Sequence, residues 1–555
     1  MVSVKNKIEF EDLLEEIGDY GTFQKKMMLY FLGPVSTAIP ILALNILFLV
    51  NTPDHWCYVP EVAQSNLTSK VQQHLLNHNQ SSCYMYDLNY TEWIQSNYSY
   101  VPDNTPLIPC KNGWEYSKAY FEETASSKWD MVCGDSHYSS LALTLTNVGG
   151  AFGTFTYGAL GDRIGRKPVF FIILTVTIVS ASASFLVTNF KAFLAFRILN
   201  GTITAALFTL TLVIVLELVG PENRGLVNAI PNLSWAVGLS ILPLIAYLSR
   251  HWVILGFACT SLAVLMLGYW KFLPESPRWL VSHQKYEEAA NTLMRIAKMN
   301  GKNVNRQDIL KKIKILGEKV QEEEKEEGTK NNVLDLFRYP NLRKKFFIVT
   351  FCWAANDLVY FGLQYNLPNL EGNPFVTFFV LTIVEFPGLL SIWYLMEKWG
   401  RRWSSAFFLG LAGFACLVVA VMPEDVPHVA VICSVIGKFA STSSYMAITL
   451  QGSELYPTPV RSIGLGISST AGCATNIMAP YIVYMATFGK YIPFLIIGLV
   501  AVLASFCGTF LPETLDEILP QTVQDGETFG KNQKYFSMKW KRSASAPTEE
   551  QNPKV

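Results

Sequence analysis

The chain has 555 residues, half of which are hydrophobic (Ala, Val, Ile, Leu, Met, Phe, Trp, Tyr or Cys) and only 16% of which are charged. Ordinary globular proteins carry roughly 25% charged residues, and the positive mean hydropathy also argues against a soluble multidomain protein. Lys plus Arg and Asp plus Glu are equal at 44 each, so the net charge does not indicate a nucleic-acid partner. Because the apolar residues form long blocks between short charged clusters, the composition predicts a polytopic membrane protein.

The first predicted element is an amphipathic helix within residues 1–26. Phe10, Leu13, Leu14 and Ile17 lie on one face of this helix and acidic residues on the other. We expect it to lie at the cytosolic membrane surface.

Twelve apolar blocks follow, each long enough to cross a bilayer core of about 30 Å, which takes ~20 helical residues. The first has no small-residue cleavage site, so we expect a span and not a removed signal peptide. Both ends of the chain then lie on one side of the membrane. The blocks lie near residues 27–50, 138–160, 168–188, 192–216, 227–249, 252–273, 346–367, 375–396, 403–422, 428–450, 462–486 and 490–511.

The loop at 51–137 is predicted to be extracellular, glycosylated and disulfide-bonded. It contains four of the ten cysteines and four Asn-X-Ser/Thr sequons, which is a stronger signal than isolated matches. Four cysteines allow three pairings, and the sequence does not choose between them. The cysteines are Cys57, Cys83, Cys110 and Cys133, and the sequon asparagines are Asn66, Asn79, Asn89 and Asn97.

Charge distribution supports the same orientation. The loop at 51–137 has ten Asp/Glu and four Lys/Arg, whereas the segment at 274–345 has sixteen Lys/Arg and eleven Asp/Glu. Short loops matter more for the positive-inside rule, and the loops after the second and eighth spans are basic. We therefore expect 274–345 to be a central cytosolic loop and 512–555 to be a cytosolic tail.

Three motifs recur at nearly the same offset, which predicts two homologous six-helix halves at 27–273 and 346–511. Residues 162–167 (DRIGRK) recur as 397–402 (EKWGRR), and residues 272–276 (FLPES) recur as 510–514 (FLPET). The third is a Glu-Leu pair with an Arg seven residues after the Glu. This is the architecture in which a substrate site lies midway across the membrane between two halves that rock around it.

The repeated charged residues are candidates for a gating latch, because ion pairs between neighbouring helices that break when the cavity changes sides form a bistable element. In this interpretation Glu217 faces Arg224 and Glu454 faces Arg461. The alternative is that these residues only anchor topology. The predicted latch comprises Asp162, Arg163, Arg166, Glu217, Arg224, Glu397, Arg401, Glu454 and Arg461.

Several of these motifs resemble the organic cation, carnitine and organic anion transporter family of the major facilitator superfamily. They include residues 158–167 (GALGDRIGRK), residues 274–280 (PESPRWL), residues 52–57 (TPDHWC) and residues 454–458 (ELYPT). The resemblance implies an all-α fold of twelve transmembrane helices in two six-helix pseudo-repeats. It also implies a plasma-membrane transporter rather than an enzyme.

Ionisable residues inside spans are candidates for substrate binding, because each costs about 2.5–3.5 kcal/mol on insertion scales. For two of them, Arg197 and Lys438, a structural pairing with a carboxylate or with backbone carbonyls is an equally weighted alternative. The candidates are Arg197 in the fourth span, Asp357 in the seventh, Glu385 in the eighth and Lys438 in the tenth.

Aromatic residues point to an amine-bearing ligand. Trp353 and Tyr360 are seven residues apart, so they share one helix face, and aromatic faces attract ammonium groups. Positions resembling these two and Glu385 line the central cavity in the family that the sequence resembles. Phe208 and Tyr445 are weaker candidates of the same kind.

Cys473 marks a departure from the family. Cation-type relatives have an Asp at this position and anion-type or carnitine-type relatives have an Arg, so the usual indicator of substrate charge is missing. We expect carriage of small organic ions, with amine-bearing cations or carnitine-like zwitterions preferred. An organic anion carrier and a non-transporting receptor or scaffold are the alternatives.

No partner beyond a small organic ion and the lipid bilayer is expected. The chain has no phosphate-binding loop and no Cys/His cluster with metal-ligand spacing on the cytosolic side, so we expect neither cofactor nor metal. A co-transported Na⁺ or H⁺ is compatible with the sequence, which does not indicate either one.

Overall fold

The computed structural model of the chain describes residues 10–64, 82–95, 105–327, 335–423, 426–517, 519–531 and 533. These residues are mostly helical. The helices are Phe10–Ile17, Thr22–Met27, Met28–Leu32 (a π-helix), Gly33–Leu44, Ile46–Leu49, Pro60–Ala63, Tyr90–Gln95, Ala125–Lys128, His137–Ile164, Arg166–Leu186, Phe190–Gly201, Thr204–Leu216, Arg224–Ser249, Trp252–Met266, Pro277–Ser282, Tyr286–Met299, Arg306–Glu327, Asp335–Arg338, Pro340–Tyr365, Pro374–Ile383, Glu385–Val421, Pro427–Leu455, Arg461–Tyr484, Ile492–Gly508 and Val523–Thr528.

Eight helical stretches of the described chain are long and apolar enough to cross a membrane. One of them, Pro374–Val421, contains both the eighth and the ninth predicted spans. The second, eleventh and twelfth predicted spans correspond to the helices His137–Ile164, Arg461–Tyr484 and Ile492–Gly508. All twelve predicted blocks are therefore helical.

The eighth predicted span is interrupted in its middle. Its first part ends at Ile383 and the next helix begins at Glu385. Pro387 has no backbone N–H to donate to the carbonyl four residues earlier, and its ring crowds that carbonyl, so the helix breaks there. The interruption places the Glu385 carboxylate at the first position of a helix.

The described chain forms two compact units. The first comprises the described parts of Met1–Lys325 with Tyr365–Ile383 and Ile477–Thr487. The second comprises the described parts of Glu326–Gln364, Val384–Asn476 and Phe488–Val555. The predicted boundaries of the two halves stay a prediction.

The amino-terminal helix Phe10–Ile17 packs against protein. All four residues of its apolar face are buried, and they belong to the hydrophobic core of the first unit together with residues of the helix Tyr286–Met299. We expected this face to lie at the membrane surface. The periodic pattern reports that a face is buried but does not identify what covers it.

The loop at 51–137 contains four short strands in two antiparallel pairs. His55–Cys57 pairs with Trp114–Tyr116, and Tyr84–Tyr86 pairs with Leu107–Pro109. Two disulfides, Cys57–Cys110 and Cys83–Cys133, join the cysteines of this loop. Of the predicted glycosylation sites, Asn66, Asn79 and Asn97 lie outside the described residues, and Asn89 is exposed.

We expect disulfide mapping to recover peptides that link Cys57 to Cys110 and Cys83 to Cys133. The Cα atoms of the two pairs are 5.2 and 5.5 Å apart, within the range that a disulfide spans. The measurement is mass spectrometry of alkylated, deglycosylated protein digested without reductant. The Cys83→Ser/Cys133→Ser variant should keep the other link, and either alternative pairing would contradict the structure.

Candidate functional site

Three of the predicted site residues form one buried cluster in the second unit. Lys438 Nζ is 3.2 Å from Glu385 Oε1, and the Tyr360 hydroxyl donates a hydrogen bond of 2.9 Å to the same oxygen. Lys438 Nζ also lies 3.0 Å from the centroid of the Tyr360 ring. Lys438 is 0% and Glu385 2% exposed. The carboxylate pairing that was an alternative for Lys438 is therefore present.

Asp357 lies one helical turn away from this cluster, and its charge, unlike that of Glu385, is not neutralised by a neighbouring side chain of the described chain. It is 7% exposed, and within the described residues it has neither an ion pair nor a hydrogen bond. Its carboxylate lies against Gly472, where a Cβ would collide with Oδ2. Asp357 can therefore occupy this position only because Gly472, in the helix Arg461–Tyr484, has no side chain.

Aromatic and sulfur-containing residues complete the surroundings of Asp357. The rings of Trp353 and Tyr445 meet edge to face with centroids 6.0 Å apart. Cys473 is half-buried and directly follows Gly472. The structure therefore brings together Trp353, Asp357, Tyr360, Glu385, Lys438, Tyr445 and Cys473 within one unit.

Two predicted residues belong to the first unit instead. Phe208 is half-buried, and its ring meets Trp235 edge to face at a centroid distance of 5.9 Å. Arg197 is 1% exposed and has no carboxylate partner among the described residues. Its Nε and Nη2 atoms also have no hydrogen-bond acceptor there.

A repeated backbone cap follows the second predicted span. Gly165, with a φ of 109°, ends the preceding helix and turns the next N–H groups toward Glu275. The Glu275 carboxylate accepts hydrogen bonds of 2.9 Å from the N–H of Arg166 and 3.2 Å from that of Lys167. Burial raises the pKa of Glu275, and these N–H groups act in the opposite direction. The sequence shows the Pro-Glu motif but not this role.

The side chain of Arg166 connects this cap to a neighbouring helix end. Its Nη2 is 3.5 Å from Glu217 Oε1, its Nη1 is 3.1 Å from Asp162 Oδ1, and Nη1 donates to the carbonyl of Gly161 at 2.8 Å. These contacts join three of the predicted latch residues.

The second unit repeats the arrangement. Gly400 has a φ of 84°, and Glu513 accepts a hydrogen bond of 2.8 Å from the N–H of Arg401. Arg401 in turn lies 3.2 Å from Glu454, measured from Nε to Oε2. In each unit, therefore, a glycine turn precedes an arginine whose N–H binds a capping glutamate and whose side chain pairs with a second glutamate.

The predicted pairs of Glu217 with Arg224 and of Glu454 with Arg461 are absent from the described residues. Glu217 follows the helix that ends at Leu216 and Arg224 begins the next long helix, but it is Arg166 that pairs with Glu217. Arg224 pairs with Glu11 at 3.0 Å, whereas Arg461 donates to the backbone carbonyl of Tyr456 at 3.1 Å. The predicted latch residues with no ion pair in the described chain are Arg163, Glu397 and Arg461.

Glu11 also binds Arg278, so it connects the amino-terminal helix to two arginines. Burial raises the pKa of Glu11, but the neighbouring guanidinium groups of Arg278 and Arg224 outweigh this effect, and the net pKa is lowered. Sequence reasoning did not find this pairing.

We predict that Gly472→Ala destabilises the protein by about 1–3 kcal/mol, because the new methyl group must displace the Asp357 carboxylate. The matched control is Gly466→Ala in the same helix, where a Cβ meets nothing within 4 Å. Thermal unfolding of the purified protein in detergent should show a lower Tm for Gly472→Ala only. Equal Tm values for both variants would contradict the close approach.

Comparison with known proteins identifies the family. Residues 63–522 match the family described as sugar (and other) transporter. Organic cation transporter 1 of Caenorhabditis elegans is 34% identical over 96% of this chain and 90% of its own length. The beta-alanine transporter of Drosophila melanogaster is 32% identical, with 94% and 89% covered. Organic cation/carnitine transporter 2 of Homo sapiens is 30% identical, with 93% of each covered.

A likeness to solved structures shows the fold. The xylose transporter XylE of E. coli, in an inward open conformation, superimposes with a TM-score of 0.59 at 14% identity, covering 92% of this chain and 100% of that one. The chain thus has the twelve-helix major facilitator fold of a multi-pass membrane protein. It belongs to the sugar (and other) transporter family and, within the major facilitator superfamily, to the organic cation, carnitine and organic anion transporters.

Proposed function

We propose that this protein is a plasma-membrane carrier that moves small amine-bearing organic cations or carnitine-like zwitterions by alternating access. The observation that carries the proposal is the buried group of Asp357 and Glu385 beside the rings of Trp353, Tyr360 and Tyr445. Carboxylates and aromatic faces are the two kinds of group that stabilise an ammonium ion away from water. The names of the three relatives also refer to cations, to beta-alanine and to carnitine.

The orientation is part of the proposal. Both termini and the central loop at 274–345 would be cytosolic, and the disulfide-bonded loop at 51–137 would be extracellular. The exposure of Asn89 supports glycosylation of this loop, because a glycan needs a surface position. Asn66, Asn79 and Asn97 are proposed as further acceptors.

The ion pairs Arg166–Glu217 and Arg401–Glu454 are proposed as the gating latch. Each joins the loop after one helix to the end of another within its own unit. The side chains of both pairs are only partly exposed, so solvent screens their attraction incompletely. Each pair therefore contributes a moderate stabilisation of about 1–3 kcal/mol. A contact of that energy is large enough to bias a conformational equilibrium and small enough to break in each cycle.

An organic anion carrier is less well supported. Lys438 is paired with Glu385 at 3.2 Å, and the nearby buried carboxylate of Asp357 disfavours an anion that carries no ammonium group. A scaffold without transport would not require the ion-pair cluster that both units keep. An uptake panel of labelled cations, zwitterions and anions, with and without sodium and at two pH values, separates these functions. Uptake of anions alone, or of no member of the panel, would refute the proposal.

We predict that Glu385→Gln impairs uptake of amines that carry no carboxylate. Without the carboxylate, the buried ammonium of Lys438 is left without a counter-ion and repels a second cation. Initial uptake rates should fall by about tenfold when normalised to surface expression measured by biotinylation. Unchanged uptake at equal surface expression would exclude the proposed role.

We also predict that Glu217→Gln slows transport. Removal of the carboxylate that pairs with Arg166 destabilises one of the two conformations. The maximal uptake rate should therefore fall about fivefold, while KM changes less. Glu222→Gln is the matched control, because Glu222 is exposed five residues further along the same segment. If both variants transport alike, Glu217 is only a topological anchor.

A further inference from the structure

We propose that Lys438 binds the carboxylate of a zwitterionic substrate, that Asp357 binds its ammonium group, and that Glu385 is the counter-ion which the substrate carboxylate replaces on Lys438. The inference rests on the proposed function and assigns the residues that distinguish zwitterions from simple amines. It follows from three layers of facing side chains on the helices Pro340–Tyr365 and Pro427–Leu455.

The two outer layers establish how these helices face each other. Trp353 contacts Tyr445, and Tyr360 contacts Lys438. In each helix the two contacting positions are seven residues apart, which is about two turns or ~10.5 Å. Because the contacts run in opposite directions along the two sequences, the helices are antiparallel and the positions between the contacts face each other.

Asp357 and Thr442 occupy the middle layer. Asp357 is four residues after Trp353 and Thr442 is three residues before Tyr445, so both lie on the contacting faces. Both residues are 7% exposed. Within the described chain, Thr442 Oγ1 has no hydrogen-bond partner and Asp357 has neither a hydrogen bond nor an ion pair. Buried polar groups without partners are rare in native proteins, so this layer indicates a ligand that the polypeptide does not supply.

Lys438 is also incompletely satisfied. Its Nζ contacts the Glu385 carboxylate at 3.2 Å, and no other acceptor for its N–H groups lies among the described residues. A lysine ammonium has three donors, so it can bind a ligand carboxylate with strong, charge-assisted hydrogen bonds. Glu385 keeps the hydrogen bond from the Tyr360 hydroxyl when Lys438 turns to the ligand.

The spacing of the two charges selects a class of ligand. The Lys438 ammonium lies over the ring of Tyr360. Asp357 precedes Tyr360 by three residues, so the two positions are ~4.5 Å apart along the helix axis. A short ω-amino acid or betaine has its ammonium and carboxylate groups separated by only a few bonds, which suits two binding residues about one helical turn apart. A monocation can use Asp357 alone and leaves Lys438 on Glu385.

The test compares two probes that differ only in the carboxylate, β-alanine and its amide, β-alaninamide. In the Glu385→Gln/Lys438→Met variant both buried charges are removed together, so no unpaired ion is left to disrupt folding. We expect the double variant to raise KM for β-alanine about tenfold more than KM for β-alaninamide, because only β-alanine has a carboxylate for Lys438 to bind. Surface biotinylation and the Tm of purified protein verify that the variant folds.

Two single variants test the remaining assignments. Asp357→Asn should raise KM for both probes by about tenfold, because both contain the ammonium group. Glu385→Gln leaves Lys438 charged and should therefore reduce uptake of β-alaninamide more than uptake of β-alanine. This second result does not depend on whether the double variant folds.

Equal effects of the double variant on the two probes would overturn the role of Lys438. An Asp357→Asn variant that reaches the surface with both KM values unchanged would overturn the ammonium site. Wild-type protein that takes up amines but no zwitterion refutes this inference and leaves the proposed function intact. Absence of uptake for the whole panel of organic ions refutes the proposed function itself.

Discussion

The ion pair between Lys438 and Glu385 is the constraint on which the second unit depends, because burying either charge alone inside a helical bundle in a bilayer costs more than burying the two as a pair. Tyr360 contributes a hydrogen bond to the acid and its ring to the base. The break before Glu385 places the carboxylate at a helix start, where the helix dipole favours negative charge.

The glycine turns and capping glutamates impose a second constraint that both units share. Gly165 and Gly400 adopt positive φ values, and in each case a Cβ would collide with the capping glutamate, Glu275 or Glu513. The glycine gives the chain its turn and also leaves room for the carboxylate that binds the next N–H groups. The adjacent arginine is thereby held where it can reach its partner, so the ion pair depends on the turn.

The sequence could predict the twelve helices and the shared helix face of Trp353 and Tyr360, because hydrophobic length and helical spacing are local properties. The grouping of Glu385 with these two residues came from the resemblance to the family. It could not choose Glu385 as the partner of Lys438, since that choice depends on how separate helices pack. The contact of Gly472 with Asp357 was missed for the same reason, and a glycine in a span is too common to be a signal. The predicted pairing of Glu217 with Arg224 is absent from the described chain, where Arg166 pairs with Glu217 and Arg224 pairs with Glu11, because the partners are chosen by the packing of separate helices.

The two buried acids of the second unit, Asp357 and Glu385, have different electrostatic surroundings. This difference can connect the binding of a ligand to a movement of the helices around it. Glu385 is neutralised by Lys438, whereas Asp357 has no counter-ion within the described residues. A ligand can shift a conformational equilibrium only through a difference in its affinity for the two conformations. A monocation bound at Asp357 leaves the tie between Lys438 and Glu385 in place. A zwitterion replaces that tie with a bond to itself, so its binding changes one of the contacts that connect the helix Pro427–Leu455 to the helix Glu385–Val421.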